Sequence, residues 1–132
     1  MRVLVIDDDP VLRRTLARLL ERAGHIVLLA GDGLRGLRLW RDEGAELVIT
    51  DVRMPGMTGL EVMLQLHQCA PELPIIAISG GDPSRDWELL EDAKLLGAVE
   101  LLSKPFTAAD LGSAVHRATH RRHDDKRGTA SA

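Results

Sequence analysis

Five short apolar runs, each closed by turn-forming or polar residues and each followed by a helix-like segment, restrict this chain to very few folds. The first, MRVLVI (Met1 to Ile6), is apolar at both parities, which suits a strand covered on both faces. HIVLL (His25 to Leu29), ELVIT (Glu46 to Thr50), PIIAIS (Pro74 to Ser79) and VELL (Val99 to Leu102) follow as further strands. Helical signals fill the gaps. Asp9 caps a helix that Pro10 opens; Leu12, Leu16, Leu19 and Leu20 recur at helical spacing until Gly24 stops it. A second helix follows Gly31-Asp32-Gly33, with Leu34, Leu37 and Trp40 on its apolar side. A third spans Leu60 to Gln68 with the stripe Leu60, Met63, Leu64. The fourth is expected from about Ser84 to Leu96, stopped by Gly97. Thr107 to Asp110 resembles a capping box, and a last helix runs from there to about Arg122. Strict alternation with short connections leaves one common solution. Parallel strands joined by right-handed helical crossovers give a doubly wound, three-layer α/β/α sandwich around a five-stranded parallel sheet.

The 132 residues fit one domain, expected over 1–122, with HDDKRGTASA (His123 to Ala132) as a frayed, flexible C-terminal tail without packing residues. With 45% apolar and 28% charged residues the chain reads as a soluble globular protein that needs no disulfide or metal staple. Cys69 is the only cysteine, so no intramolecular disulfide can form and the reducing cytoplasm is the expected setting. A formal charge of -3, no Tyr and a single Phe argue against nucleic-acid binding by the domain body. No apolar run approaches the ~20 residues that span a bilayer, and no signal-peptide layout is visible.

In an open parallel sheet, ligands bind beyond the carboxyl ends of the strands. Four of the five strands end here in residues that carry chemistry: Asp7, Asp8 and Asp9; Asp51; Ser79; and Ser103 with Lys104. Crowded carboxylates repel unless a cation intervenes, and Asp oxygens with water suit Mg²⁺. Lys104 and Ser79 supply a positive charge and a hydrogen-bond donor for phosphoryl oxygens, and a carboxylate can itself attack phosphorus to form an acyl phosphate. Taken singly, each of these residues has a plainer role: Asp9 as a helix cap, a lone Asp or Lys-Pro as turn residues. Their convergence is what points to phosphoryl chemistry. Elsewhere the plain role is preferred. Trp40 and Trp87 are packing residues, Cys69 is inert, and His116, His120 and His123 lie on a solvated helix face.

VLVIDDDPVLRRTL, LVITDVRMPGMTGLEV, LPIIAISGG and LGAVELLSKPF together resemble the signature segments of the response-regulator receiver domain of two-component signalling, from residue 2 to about 122. The resemblance implies a flavodoxin-like (CheY-like) fold with strand order 2-1-3-4-5. It implies that Asp51 is the phosphoacceptor, that Asp8 ligates Mg²⁺ (or Mn²⁺) directly and Asp7 through water, and that the main-chain carbonyl of Arg53 is a further ligand. Ser79 matches the switch hydroxyl and Lys104 the lysine that precedes a cis peptide at Pro105. The partner would be a sensor histidine kinase or a histidine phosphotransfer protein, with a downstream protein target. The chain would be a monomer or weak homodimer, cytoplasmic, binding neither nucleic acid nor membrane. It would be a phosphoacceptor switch that assists its own phosphorylation and slow autodephosphorylation rather than an enzyme.

Some positions depart from the family pattern. Leu101 stands where an aromatic residue usually does, so the coupled motion of ring and hydroxyl is not expected in its usual form. The stretch from Ser79 to Lys104 is long, which points to a mobile loop over Gly80 to Asp86. Arg53 and Gly81 occupy positions that tune dephosphorylation, and Thr58 replaces a common Asp. With no DNA-binding, cyclase or kinase module after the last helix of this sequence, a standalone regulator and a receiver cut from a longer chain both stand as readings, and the Ser-Gly-Gly loop and LGAVELLSKPF look more like standalone receivers. Two other classes stand beside this: a Mg²⁺-dependent phosphohydrolase of a small-molecule substrate with Asp51 as nucleophile on the same acidic rim (the D-x-D made by Asp7 and Asp9 is accidental, since Pro10 forces a helix at once), and an inert scaffold that has lost phosphorylation.

Overall fold

The first strand is sealed on both faces because apolar residues occupy both of its parities, and it stands next to the centre of the sheet. In the computed structural model, which describes residues 1–80 and 91–131 and side chains as far as 120, β1 (Arg2–Ile6), β2 (Ile26–Ala30), β3 (Leu47–Asp51), β4 (Ile75–Ser79) and β5 (Ala98–Ser103) form one sheet. All pairings are parallel, in the order β2-β1-β3-β4-β5. The helices are α1 (Pro10–Arg22), α2 (Gly33–Glu43), α3 (Gly59–Cys69), the helical residues 91–95 (α4) and α5 (Ala108–Ser131).

Alternating strand residues feed two separate cores. Leu4, Ile6, Val48, Ile75 and Ala77 meet Leu37, Val62, Met63 and Leu66 beneath α2 and α3. Val3, Val5, Leu47, Ile49, Ile76 and Ile78 meet Leu16, Leu20, Leu111 and Val115 beneath α1 and α5. This is the expected sandwich, with a flavodoxin-like sheet order. The edge strand β2 is less sealed, leaving Ile26 and Leu29 exposed.

Local chemistry sets the helix starts. The Asp9 side chain accepts from the amides of Val11 and Leu12, with Pro10 in the first turn. Thr107 and Asp110 form the reciprocal capping box: each side chain accepts from the other residue's amide, at 3.0 and 2.9 Å. Thr58 caps α3 by accepting from the Glu61 amide. Gly24 (φ 94°) and Gly97 (φ 101°) adopt the left-handed conformation that ends a helix.

Some expectations are corrected. Leu34 and Leu64 are exposed rather than on the buried stripes. In α2 the face toward the sheet is made by Gly33, Gly36 and Leu37, and in α3 by Gly59, Val62, Met63 and Leu66. Small residues let those helices lie close, and that closeness rotates the neighbouring leucines outward. The last helix does not end near Arg122; its helical backbone runs through to Ser131, because no Pro interrupts that stretch and a lone Gly128 weakens a helix without ending it. The expected start of the fourth helix, the loop beyond Gly80, and both Gly81 and Trp87 lie outside the described residues. Trp40 is half-buried against the core, as a packing residue should be.

Candidate functional site

Beyond the carboxyl ends of β1 and β3, where the strand order reverses, the polar residues of four strands meet. Asp51 ends β3 and is 5% exposed. Its Oδ1 accepts from the Arg53 amide at 2.9 Å, and its Oδ2 accepts from Lys104 Nζ at 3.0 Å. Asp7 follows β1 and is fully buried; its Oδ1 accepts from the Asp9 amide at 2.8 Å. Asp8 is exposed at the mouth. One carboxylate oxygen from each of Asp7, Asp8 and Asp51 can be chosen so that all lie within 4.8 Å of one another. Among the described residues they are the one group of three or more His, Cys, Asp or Glu side chains so placed.

The electrostatics of this cluster are unbalanced. Burial pushes the Asp7 carboxyl up to about 6; the Asp9 amide opposes this and the Asp51 charge adds to it. Its Oδ2 is the only buried side-chain polar atom among the described residues with no hydrogen-bond partner. Burial works against the Lys104 ammonium, but the bond to Asp51 and the charges of Asp51, Asp7 and Asp9 outweigh it and raise its pKa. A buried carboxylate oxygen without a donor, beside two more carboxylates, is the chemistry of a site built for a hard cation. The donor set fits Mg²⁺.

Ser79 is 2% exposed, and its hydroxyl donates to Ser103 Oγ at 3.3 Å rather than to Asp51. The Lys104 amide donates to the Ser79 carbonyl at 3.1 Å, and the Lys104-Pro105 peptide is cis. Leu101 is half-buried and packs against the core beneath α2 and α3. Arg13 enters the rim unforeseen. Its Nη1 donates to the Asp7 carbonyl at 2.7 Å, and the guanidinium lies against Gly31, where a Cβ would be 3.0 Å from Nη1. Nothing in the sequence marks it beyond a place on α1 one turn past the acidic residues.

The other candidates resolve plainly. Asp9 is occupied as a cap, so the Asp7-x-Asp9 pair does not act as two free carboxylates. His116 and His120 are exposed and stack on each other at 3.9 Å, while the His123 side chain lies outside the described ones. Cys69 is exposed and unpaired with any other cysteine. Arg117 pairs with Glu100 of β5.

A doubly wound sandwich carrying an acidic cluster and a strand-end lysine at the switch point defines a class of phosphoryl-responsive α/β domains. Residues 3–116 match the family model of the response regulator receiver domain, and the chain belongs to that family. It is 38% identical over 117 residues to the C4-dicarboxylate transport transcriptional regulatory protein DctD of Pseudomonas aeruginosa, covering 89% of this chain and 25% of that protein. The chain thus spans about a quarter of that relative's length. Among solved structures, a response regulator receiver domain protein from Clostridium thermocellum superposes with a TM-score of 0.81 at 32% identity, covering 92% of this chain and 96% of that one. The chemotaxis protein CheY4 of Vibrio cholerae gives 0.81 at 28% identity, with 89% and 97% covered. The chain is therefore a receiver domain of two-component signalling with a CheY-like fold. None of its described helices is long and apolar enough to cross a membrane.

Proposed function

We propose that Asp51 accepts a phosphoryl group from a phosphohistidine on a sensor histidine kinase or phosphotransfer protein, and that the acyl phosphate switches the surface this receiver offers to a downstream protein. The observation that carries this reading is the buried Asp51 carboxylate, held by Lys104 on one oxygen and grouped with two further carboxylates. Asp8, Asp51 and the Arg53 carbonyl are the proposed ligands of Mg²⁺ or Mn²⁺, with Asp7 acting through water. Bound there, the cation supplies charge neutralisation for an anionic nucleophile meeting an anionic phosphoryl group.

This chain's residues do the rest. The Arg53 amide and Lys104 ammonium fix the Asp51 carboxylate so that one of its oxygens can approach phosphorus in line. The O–P bond forms as the N–P bond of the phosphohistidine breaks, and its electron pair returns to the imidazole nitrogen. Lys104 then transfers its contact to a phosphoryl oxygen, and Ser79 donates to another. The added charge and acceptor oxygens bias the ends of β4 and β5, and through them α4 and α5, between two arrangements. The chain acts as a switch that assists its own phosphorylation and slow dephosphorylation, in the cytoplasm, as a monomer or weak homodimer. The receiver domain occupies residues 1–122, and 123–132 lie beyond it, with the backbone of α5 continuing through Ser131. The partial coverage of DctD supports a second organisation, a receiver within a longer regulator. The mass of the native gene product separates it from a standalone regulator.

Incubation with acetyl phosphate and Mg²⁺, followed by intact-mass measurement, tests the reading. Expected is a single phosphoryl addition that needs the metal and disappears in Asp51→Asn. Unlabelled wild type, or equal labelling of Asp51→Asn, would overturn it. Sustained turnover of p-nitrophenyl phosphate would instead mark a phosphohydrolase.

A further inference from the structure

We infer that Ser103 is the resting partner of the switch hydroxyl: it holds Ser79 away from Asp51 until a phosphoryl group competes for it, and so sets how readily this receiver switches. The inference rests on the phosphoacceptor reading of Asp51. Ser79 and Ser103 are paired in register at the ends of β4 and β5, so their side chains leave the sheet on the same side. The Ser79 hydroxyl is buried and donates to Ser103 Oγ, while Asp51 is served by Lys104 and the Arg53 amide.

The two strand ends are joined twice, by this hydroxyl pair and by the bond from the Lys104 amide to the Ser79 carbonyl. Lys104 in turn reaches Asp51, so the contacts run from Asp51 through Lys104 and Ser103 to Ser79. A rotation of Ser79 toward Asp51 breaks its bond to the residue next to Lys104. The 3.3 Å separation is long for a hydroxyl pair, and Ser103 is exposed, so the bond is weak enough to exchange. A phosphoryl oxygen is charged and accepts more strongly than a neutral hydroxyl, which gives the exchange its direction. Leu101 offers no ring hydroxyl or aromatic face to this region, so Ser103 is the polar group on β5 that registers where Ser79 points. Ser103 is a positioning residue, acting through Ser79.

The test is a beryllofluoride titration with Mg²⁺ on the full chain, following amide chemical shifts. The wild type should respond saturably and Asp51→Asn should not. In Ser103→Ala the half-saturating concentration should fall roughly two- to fivefold, the lower part of what one neutral hydrogen bond contributes. Ser103→Thr, which restores a hydroxyl, should return it to the wild-type value. Ser79→Ala should bind more weakly than wild type, and adding Ser103→Ala to it should change nothing further. An unchanged or weakened Ser103→Ala, or a Ser103→Ala effect that persists without the Ser79 hydroxyl, overturns the inference while the Asp51 reading stands. A wild type that fails to respond overturns both.

Discussion

Asp7 concentrates the cost of this site in one carboxyl group. It is sealed from solvent, one oxygen is held by the Asp9 amide, the other has no partner, and burial together with Asp51 lifts it to about 6. Near pH 7.5 without metal it must carry a charge that its surroundings disfavour. Asp7→Asn should therefore raise the urea unfolding free energy of the metal-free protein by about 1–3 kcal/mol. The same variant should lose most of the thermal stabilisation that Mg²⁺ confers on the wild type. A destabilised Asp7→Asn protein would contradict this account. Asp7, Asp8, Asp51, Ser79, Ser103 and Lys104 were legible as rim residues because strand ends in a parallel sheet share one rim. Arg13, and the pairing of Ser79 with Ser103, were not. The reach of Arg13 depends on how α1 lies over β1, and the partner of Ser79 depends on the β4–β5 register, which shifts between Ile75 and Ile76.

At the scale of elements, the start of α3 lies directly against the site. A Cβ on Gly59 would lie 1.8 Å from the Asp51 carbonyl oxygen, a backbone atom that cannot move without moving the phosphoacceptor candidate. Gly36 in α2 would place its Cβ 2.4 Å from Ile6 Cδ1, a side-chain tip within a sealed core. Gly112 in α5 has nothing within 4 Å. Three Gly→Ala substitutions should therefore separate in urea midpoints. Gly112→Ala should stabilise by about 0.5–1 kcal/mol through helix propensity. Gly36→Ala should cost about 1–3 kcal/mol as an overpacked core. Gly59→Ala should cost more than Gly36→Ala, and should also slow acetyl phosphate labelling. The same closeness explains why the positions of α2 and α3 along the chain were readable while their phases were not. Hydrophobic spacing favoured Leu34 and Leu64, but it is the glycines that face the sheet and turn those leucines to solvent.

For the molecule as a whole, the raised Asp7 pKa makes acid stabilising over a limited window. Protonated Asp7 contributes stability that is fully present below its ordinary 3.8 and is lost as pH rises through about 6, a total of about 3 kcal/mol. Calorimetry without metal should show the melting temperature rising as pH falls from about 7.5 to about 5, and the rise should vanish in Asp7→Asn. Mg²⁺ should reverse the trend, since a metal site needs ionised ligands and binds less well as they protonate. At the alkaline end, Lys104 works in the same sense: its pairing stabilises below its ordinary 10.5 and is lost as pH rises through its raised folded value. A metal-free melting curve flat across the acid window would remove the electrostatic argument for a cation at this rim.

The order of apolar runs and helix signals determined the architecture, because short connections between strands sealed on both faces permit only parallel crossovers. It determined the rim as well, since residues that end neighbouring parallel strands must emerge on one side. Tertiary packing decided which polar atom meets which. Lys104 takes an Asp51 oxygen, Ser79 takes Ser103, and Asp7 keeps one oxygen bare. Those choices turn on ångström-scale distances between elements far apart in the chain, and spacing along a sequence carries no record of such distances.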